Sequence, residues 1–275
     1  MRYRLNGRTV ILSGAGSGIG RAMTAELITR YSCRVIGIGR HASRLEETAE
    51  LLGDKKNMFS YSLFDVADSA GWSALADRLS AEGITPDILI NNAGMLPKFD
   101  RMVNVSPEDM HRVMEVNFFS GVYSVKSLLP LLLGSDSPAI VNIASSAALA
   151  PIAGTAFYSA SKGAVKNATE SLREELSGKA YVALVCPGFS RTNIFREQHD
   201  MPPEKLLDLI ATPCEKIARR IVRGITRRRQ FMTIGADAVL MDFFSKHFRV
   251  LSYRTYRRFM EASGLKMFSD IFGSE

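Results

Sequence analysis

The stretch RTVILSGAGSGIG, residues 8–20, joins an apolar run to a glycine-rich turn. Residues 9–12 are β-branched or aliphatic, which predicts a buried strand. Gly14, Gly18 and Gly20 follow in a GxxxGxG spacing. Because glycine lacks a Cβ, backbone N–H groups in such a turn can approach an anion at the start of the next helix. A plain tight turn would also explain the glycines, but their position between a strand and a predicted helix favours a dinucleotide pyrophosphate.

Apolar runs of strand length recur along the chain and alternate with segments of helical length. After the first run they occupy residues 33–39, 58–66, 87–94, 139–145, 181–188 and 230–235. This alternation is typical of a parallel sheet covered by helices. It predicts an α/β fold, a doubly wound Rossmann-type parallel sheet of about seven strands with helices on both faces. No low-complexity linker divides residues 1–275, so we expect a single domain.

Composition and cysteine spacing indicate an ordinary globular protein. The chain is 46% hydrophobic and 23% charged. Its three cysteines, Cys33, Cys186 and Cys214, are widely spaced and form no CxxC or Cys/His pattern, so we expect free thiols and no metal site. The N-terminal apolar run is too short for a signal peptide, and no stretch approaches the length of a membrane-spanning helix. We expect a soluble, cytoplasmic protein.

The net charge of +7 raises the question of a nucleic-acid partner. The most basic stretch is RRIVRGITRRR, residues 219–229. Ile217, Ile221, Val222 and Ile225 recur in and beside it at helical spacing, which predicts an amphipathic helix with a solvated arginine face. No nucleic-acid-binding motif accompanies the charge, so we expect no such partner.

Tyr158 and Lys162 stand four residues apart in FYSASKG, residues 157–163. A helix would place both on one face, where an ammonium can act on a phenol. Two polar residues on a surface helix would explain the spacing equally well. Protonating a carbonyl oxygen at neutral pH is difficult for a phenol of pKa about 10 unless a nearby cation lowers that pKa. The pair is therefore a candidate for acid–base chemistry.

Taken together in order, these motifs resemble the short-chain dehydrogenase/reductase family over nearly all of the chain. SGAGSGIG is similar to its cofactor glycine motif, with Ser13 where threonine is usual. FDV at 64–66 is similar to its adenine-contacting strand end, and NNAG at 91–94 matches its fourth-strand motif. PGFSRT at 187–192 resembles its PGxxxT motif, which would place Thr192 at the nicotinamide carboxamide. Each motif is modest alone, and their shared order carries the resemblance.

The resemblance implies an NAD(P)-dependent oxidoreductase that transfers hydride between a nicotinamide and a carbonyl or secondary alcohol. Asn117, Ser145, Tyr158 and Lys162 match the family's catalytic tetrad, with thirteen residues from Ser145 to Tyr158. Tyr158 would exchange the proton, Lys162 would lower its pKa and bind the nicotinamide ribose, Ser145 would hold the substrate oxygen, and Asn117 would anchor a water. The spacing selects Ser145 over the adjoining Ser146. Each side chain also has an ordinary structural role open to it.

The choice of cofactor depends on the residues after the second predicted strand. No acidic residue appears there before Glu46, whereas Arg40 follows the strand directly, with His41 and Arg44 close behind. A guanidinium pairs well with a 2′-phosphate, so we predict NADP, with NAD as second choice. A solvated Arg40 is the alternative. The predicted cofactor-binding residues are Gly14, Ser17, Gly18, Ile19, Gly20, Arg40, Asp65, Val66, Asn92, Ala93, Gly94, Tyr158, Lys162, Pro187, Gly188 and Thr192.

The substrate is predicted only as a class. We expect a loop and lid at about 189–212 over the sheet edge. Apolar side chains in this and the neighbouring loops would either line a pocket or pack the lid: Leu96, Phe99, Leu149, Ile152, Phe157, Phe189, Ile194, Phe195, Met201, Leu206 and Leu209. No charged cluster accompanies them. We therefore predict a lipophilic ketone or alcohol, such as a hydroxysteroid or a fatty-acyl ketone.

The extension at about 237–275 interleaves aromatic and basic residues. Packing on a neighbouring subunit and covering the substrate pocket are the favoured explanations, followed by peripheral contact with an anionic membrane. The family resemblance also suggests a homodimer or homotetramer. Two other functional classes remain as alternatives, a non-catalytic NADP-binding regulator and a membrane-surface scaffold. The complete tetrad argues against the regulator.

Overall fold

The computed structural model describes residues 2–190, 211–262 and 271–272. Within them, seven parallel strands form one sheet in the order β3-β2-β1-β4-β5-β6-β7. The strands are β1 Thr9–Ser13, β2 Arg34–Gly39, β3 Phe59–Leu63, β4 Ile88–Asn91, β5 Ala139–Ile143, β6 Tyr181–Pro187 and β7 Phe231–Ile234. The predicted doubly wound sheet is confirmed.

Helices connect the strands and cover both faces of the sheet. They are α1 Gly18–Tyr31, α2 Ala42–Glu50, α3 Ser69–Ala81, α4 Pro107–Met114, α5 Ser120–Leu132, α6 Ala156–Glu175, α7 Cys214–Thr226, α8 Ala236–His247 and α9 Arg249–Ala262. A π-helical turn, Glu115–Phe119, joins α4 to α5 without a break. Ser106 caps α4, since the Asp109 N–H donates to Ser106 Oγ at 3.1 Å and Pro107 is the first residue of the helix.

The core lies in two layers because successive residues of β1 point to opposite faces of the sheet. Val10 and Leu12 pack with α1 and α7. Ile11 packs on the other face with α3 and α5. Full burial of each such side chain contributes about 1.5–3 kcal/mol, so these layers hold the strand ends in place.

Helix α7 follows the predicted amphipathic pattern. Ile217, Ile221, Val222 and Ile225 are fully buried against the sheet. The arginines of the same helix are exposed. The basic stretch is therefore the solvated face of a core helix. Nowhere in residues 2–190 and 211–262 does a helix have both the length and the apolar character needed to cross a bilayer.

The strands end earlier than the apolar runs suggested. The run at 87–94 contributes only Ile88–Asn91 to β4, and the run at 139–145 contributes Ala139–Ile143 to β5. The residues that follow the strand in each run form loops at the carboxyl edge of the sheet. These loops carry several of the predicted site residues. Most of the predicted lid, residues 191–210, lies outside the described part of the chain.

Candidate active site

A cleft of about 300 Å³ opens at the carboxyl ends of the strands. It lies where β1 is flanked by β2 on one side and β4 on the other, the position at which doubly wound sheets bind ligands. Its walls come from the glycine turn, from the loops after β2, β4, β5 and β6, and from the start of α6. Those walls are Gly14, Ser17, Gly18, Ile19, Arg40, Arg44, Asn92, Ala93, Gly94, Met95, Leu96, Phe99, Ile143, Ala144, Ser145, Ser146, Ala147, Ile152, Thr155, Tyr158, Lys162, Pro187, Gly188, Phe189 and Ser190.

The glycine turn adopts a conformation that favours glycine. Gly14 has φ 72° and Gly18 has φ 51°, both in the left-handed region. Gly20 lies behind the turn, where an added Cβ would meet the Gly14 carbonyl oxygen at 2.0 Å. Of the predicted cofactor-binding glycines, Gly14 and Gly18 therefore line the cleft, whereas Gly20 allows α1 to pack against the turn.

Ser13 joins the ends of β1 and β4. Its hydroxyl accepts hydrogen bonds from the backbone N–H groups of Asn92 at 2.9 Å and Ala93 at 3.0 Å. The Asn92 side chain in turn donates to the Ser13 carbonyl at 3.0 Å. This network holds the ends of β1 and β4 together in the wall of the cleft. Threonine also carries a hydroxyl, so serine can replace the threonine that is usual at this position without loss of the network.

Tyr158 and Ser145 meet inside the cleft. Both side chains line it, and Ser145 Oγ accepts from the Ala147 N–H at 3.1 Å. Burial raises the pKa of Tyr158, and the neighbouring Ser145 hydroxyl opposes that rise. Ser146, the neighbour that the sequence left as an alternative, is buried in the cleft wall. The contact with Tyr158 distinguishes Ser145 from it.

Lys162 lies one helical turn beyond Tyr158 on α6 and is buried. Its ammonium donates to the Ile143 carbonyl at 3.2 Å, and burial lowers its pKa to about 8. Gly94 passes directly over it, since a Cβ there would lie 3.1 Å from Lys162 Nζ and 3.2 Å from Asn117 Oδ1. A side chain at residue 94 would press on the lysine, so glycine at this position allows the loop after β4 to approach it closely.

Asn117 lies behind this lysine, within the π-helical turn. Its amide oxygen accepts from the Met95 N–H at 2.7 Å, and its amide nitrogen donates to the Met95 carbonyl at 2.9 Å. The same nitrogen donates to Ser161 Oγ at 3.0 Å. π-Helical turns are frequent at functional sites, and this one turns Asn117 toward the loop that carries Gly94.

The opposite end of the cleft is cationic. Arg40 and Arg44 line it, and Arg40 Nη1 lies 3.6 Å from Asp65 Oδ2. Arg112 donates to the same carboxylate at 2.5 Å. Burial alone would raise the pKa of Asp65, but the Ala67 N–H and Arg112 lower it. The Arg40 side chain remains about half exposed, and is thus accessible to a ligand.

Several predicted residues lie beside the cleft and not in its wall. Asp65 pairs with arginines, Val66 is buried with its carbonyl bound by the Trp72 indole, and Asn117 lies behind Gly94. Of the predicted apolar lining, Leu96, Phe99, Ile152 and Phe189 are present, whereas Leu149 and Phe157 are not. Predicted residues outside the described part of the chain are Thr192, Ile194, Phe195, Met201, Leu206 and Leu209.

Asp237 was not predicted. At the start of α8, its carboxylate accepts from the Phe189 N–H at 2.6 Å. A Cβ on Gly188 would lie 2.1 Å from Asp237 Oδ2, so this contact requires glycine. The carboxylate therefore holds the loop after β6 against the cleft. Asp237 belongs to no motif, and the sequence carried no signal for it.

Two curated relatives are similar to the chain over most of its length. 11-Beta-hydroxysteroid dehydrogenase 1A of Arabidopsis thaliana is 29% identical over 246 residues, which cover 83% of this chain and 68% of the relative. 1-Deoxy-11-beta-hydroxypentalenate dehydrogenase of Streptomyces avermitilis is 30% identical over 253 residues, covering 90% and 93%. Both names describe dehydrogenases.

Two solved structures share the fold. A short-chain dehydrogenase/reductase from Burkholderia phymatum in complex with NAD superposes with a TM-score of 0.79 at 24% identity, covering 91% of this chain and 96% of that one. A short-chain dehydrogenase from Escherichia coli CFT073 complexed with NADPH has a TM-score of 0.75 at 27% identity, covering 84% and 97%. The family model for short chain dehydrogenase matches residues 8–203. The chain therefore belongs to the short-chain dehydrogenase/reductase family, oxidoreductases that act on CH–OH and C=O groups with NAD or NADP.

Proposed function

We propose that the chain interconverts a lipophilic ketone and its secondary alcohol, with Tyr158 as the proton-exchanging group and NADP as the preferred cofactor. The observation that carries the proposal is that Tyr158, Ser145 and the buried Lys162 line one cleft. This group lies in the same cleft as the glycine turn and the two arginines.

Tyr158 serves as general acid in the reducing direction. Its raised pKa keeps the phenol protonated at neutral pH, which is the form that donates to a carbonyl oxygen. Ser145 accepts the Ala147 N–H, so its own O–H is oriented to donate either to Tyr158 or to a substrate oxygen. A substrate oxygen bound between the two hydroxyls would receive two donors as negative charge develops on it.

Lys162 and Asn117 support the phenol and the cofactor. When bound, the nicotinamide supplies or accepts hydride at the substrate carbon. Lys162 places an ammonium beside the phenol and the cofactor ribose, and its charge favours the tyrosinate that forms when Tyr158 gives up its proton. Asn117, held by Met95 and Ser161, anchors a water through which the lysine exchanges protons with solvent.

The residues present fit a dinucleotide. Gly14 and Gly18 leave room for backbone N–H groups at the start of α1 to meet the pyrophosphate. At the far end, Arg40 and Arg44 bring two guanidinium groups where the adenosine ribose would lie. Two cations favour a 2′-phosphate over free hydroxyls, which supports NADP over NAD.

The remaining walls support a lipophilic substrate. Leu96, Phe99, Ile152 and Phe189 face the cleft near Tyr158, and none of them offers a charged group to a ligand. The names of the two relatives, a hydroxysteroid dehydrogenase and a hydroxypentalenate dehydrogenase, point to the same class. We therefore assign the substrate to hydroxysteroid-like or other hydrophobic ring ketones.

We further propose that residues 1–275 form one domain, that the protein is cytoplasmic, and that it assembles as a homodimer or homotetramer.

The C-terminal helices also support peripheral contact with an anionic membrane. Phe243, Phe248 and Leu251 are exposed near the exposed cations Arg254 and Arg258. Sedimentation with phosphatidylserine vesicles, but not with phosphatidylcholine vesicles, is the expected result. Equal recovery with both would contradict the membrane contact.

The proposed function is tested by following NADPH absorbance with a panel of lipophilic ketones, after calorimetric titration of NADPH and NADH. We expect turnover of at least one ketone. Tyr158→Phe should lower kcat by about 10²–10⁴-fold while NADPH affinity stays within about twofold, because only the proton donor is removed. Tyr61→Phe, on β3, is the matched control and should keep full activity. An active Tyr158→Phe enzyme would contradict the assignment.

A further inference from the structure

Ile271 packs against loops that line the cleft. Ile271 and Phe272 are half-buried, although both lie far beyond the last strand in sequence. Their contacts involve the loop after β4, the loop after β5 and helix α9. The two loops also line the cleft, the loop after β4 through Phe99 and the loop after β5 through Ile152.

Ile271 lies directly on Gly154. A Cβ at residue 154 would be 2.2 Å from Ile271 Cδ1 and 3.3 Å from Phe99 Cδ1, so the isoleucine occupies the space that a side chain would fill. Gly154 has φ +81°, which favours glycine for a second, independent reason. The Asp100 N–H donates to the Gly154 carbonyl at 3.1 Å and joins the two loops under the isoleucine.

Two arginines hold Ile271 and Phe272, which together are called the tail below, in this position. Arg101 Nε donates to the Ile271 carbonyl at 3.2 Å. The Arg257 guanidinium lies 5.3 Å from the centre of the Phe272 ring and also donates to Glu261 at 2.9 Å. The first contact fixes the backbone of the tail, and the second is a cation–π contact that joins it to α9.

We propose that Ile271 is a specificity-determining residue that limits the size of the substrate. It lies against Gly154 next to Phe99, and Phe99 belongs to the apolar wall of the cleft, so a ligand that pushes this wall outward must displace the isoleucine. A pocket that is closed by packing discriminates by size, because an oversized substrate must displace a side chain that is already in contact. The inference rests on the proposed turnover of a ketone.

The first test compares kcat/KM for three ketones of increasing size: cyclohexanone, decalone and androstanedione. Ile271→Ala should raise the ratio of kcat/KM for androstanedione to kcat/KM for cyclohexanone about tenfold. Removing a few methylene groups from a pocket wall changes discrimination between substrates by this amount. Leu251→Ala is the matched control, because Leu251 is an exposed aliphatic residue of α9. It should leave the ratio unchanged. An unchanged ratio in Ile271→Ala would overturn the proposal.

A second test places the tail without requiring turnover. Bismaleimidoethane should crosslink the variant that carries Lys98→Cys and Ile271→Cys, because Lys98 is exposed beside Phe99. The pair Leu51→Cys and Ile271→Cys serves as control and should remain unlinked. If the wild type reduces none of the three ketones, the proposed function fails and the crosslink alone decides the position of the tail. Absence of the crosslink would overturn the inference even in an active enzyme.

Discussion

At the scale of single residues, burial has opposite consequences for the two groups of the YxxxK pair. It raises the pKa of Tyr158 and so retains a proton, whereas it lowers the pKa of Lys162 to about 8 and so favours loss of one. At neutral pH the pair is a neutral phenol beside an ammonium. This is the combination that can donate one proton and stabilise the anion that remains.

The first prediction concerns pH. Above pH 8 the Lys162 ammonium loses its proton, and with it the charge that favours tyrosinate formation. The kcat/KM for the ketone should therefore be level below about pH 7 and fall with an apparent pKa near 8, because kcat/KM reports the groups of the enzyme before the ketone binds. At pH 9.5, about 1.5 pH units above this pKa, only a few per cent of the lysine remains charged. A profile that stays level to pH 9.5 in an enzyme that is still folded would therefore contradict this role.

The second prediction concerns Arg40, which directly follows β2. Arg40→Asp should weaken NADPH binding at least tenfold, because it removes a charge-assisted hydrogen bond and adds repulsion toward a 2′-phosphate, while NADH affinity changes less than about twofold. Arg34→Asp, at the other end of the same strand, is the matched control and should bind both cofactors normally. Calorimetric titration measures all four affinities. Equal weakening of NADPH and NADH by Arg40→Asp would remove the phosphate assignment.

At the scale of elements, the backbone of the first turn of α1 lies directly against the turn that follows β1, and this close contact determines how the helix joins the strand. The Cα of Gly20 faces the Gly14 carbonyl, and no room exists for a methyl group between them. The cofactor turn thus depends on a glycine that does not line the cleft. Helix α6 shows the contrasting case, because a Cβ at its Gly163 would meet nothing within 4 Å.

The third prediction uses these two helical glycines as a matched pair. Gly20→Ala should lower the free energy of unfolding by about 1–3 kcal/mol and also weaken NADPH binding, because α1 must move away from the turn. Gly163→Ala should raise the free energy of unfolding by about 0.5–1 kcal/mol, since alanine is the better helix former. Urea denaturation measures both. A neutral Gly20→Ala would show that the turn can relax around a methyl group.

At the scale of the whole molecule, α5 and α6 together present a second groove, which shares Ala93 and Ile143 with the cleft wall. Its volume is about 240 Å³, and Phe118, Val122, Val125, Val165 and Leu172 contribute its apolar wall. Phe119 at its edge is partly exposed. An apolar groove of this kind supports association of two copies through this face, as proposed above.

The fourth prediction follows from that groove. Val125→Glu should convert the oligomer to a smaller species in light scattering, because a desolvated carboxylate would face the second copy. Leu51→Glu makes the same change at an exposed aliphatic residue that follows α2, and should leave the mass unchanged. A wild type that already runs as a monomer would contradict the proposed association directly.

The sequence by itself determined the architecture of this protein, because strand and helix periods and the glycine turn are local properties. The alternation of apolar runs predicted the doubly wound sheet, and the burial of Ile217 and Ile221 followed from helical spacing alone. The family resemblance predicted Ser145 as the partner of Tyr158, and both side chains line the same cleft.

Only the tertiary structure decided which distant residues support the cleft. Asp237 contacts Phe189, and Ile271 contacts Gly154, across separations along the chain that no period connects. Arg40 and Arg112 share the Asp65 carboxylate for the same reason. Local patterns report the burial of a face, but they carry no information about which loop of another element lies against it, because that depends on how the finished layers pack.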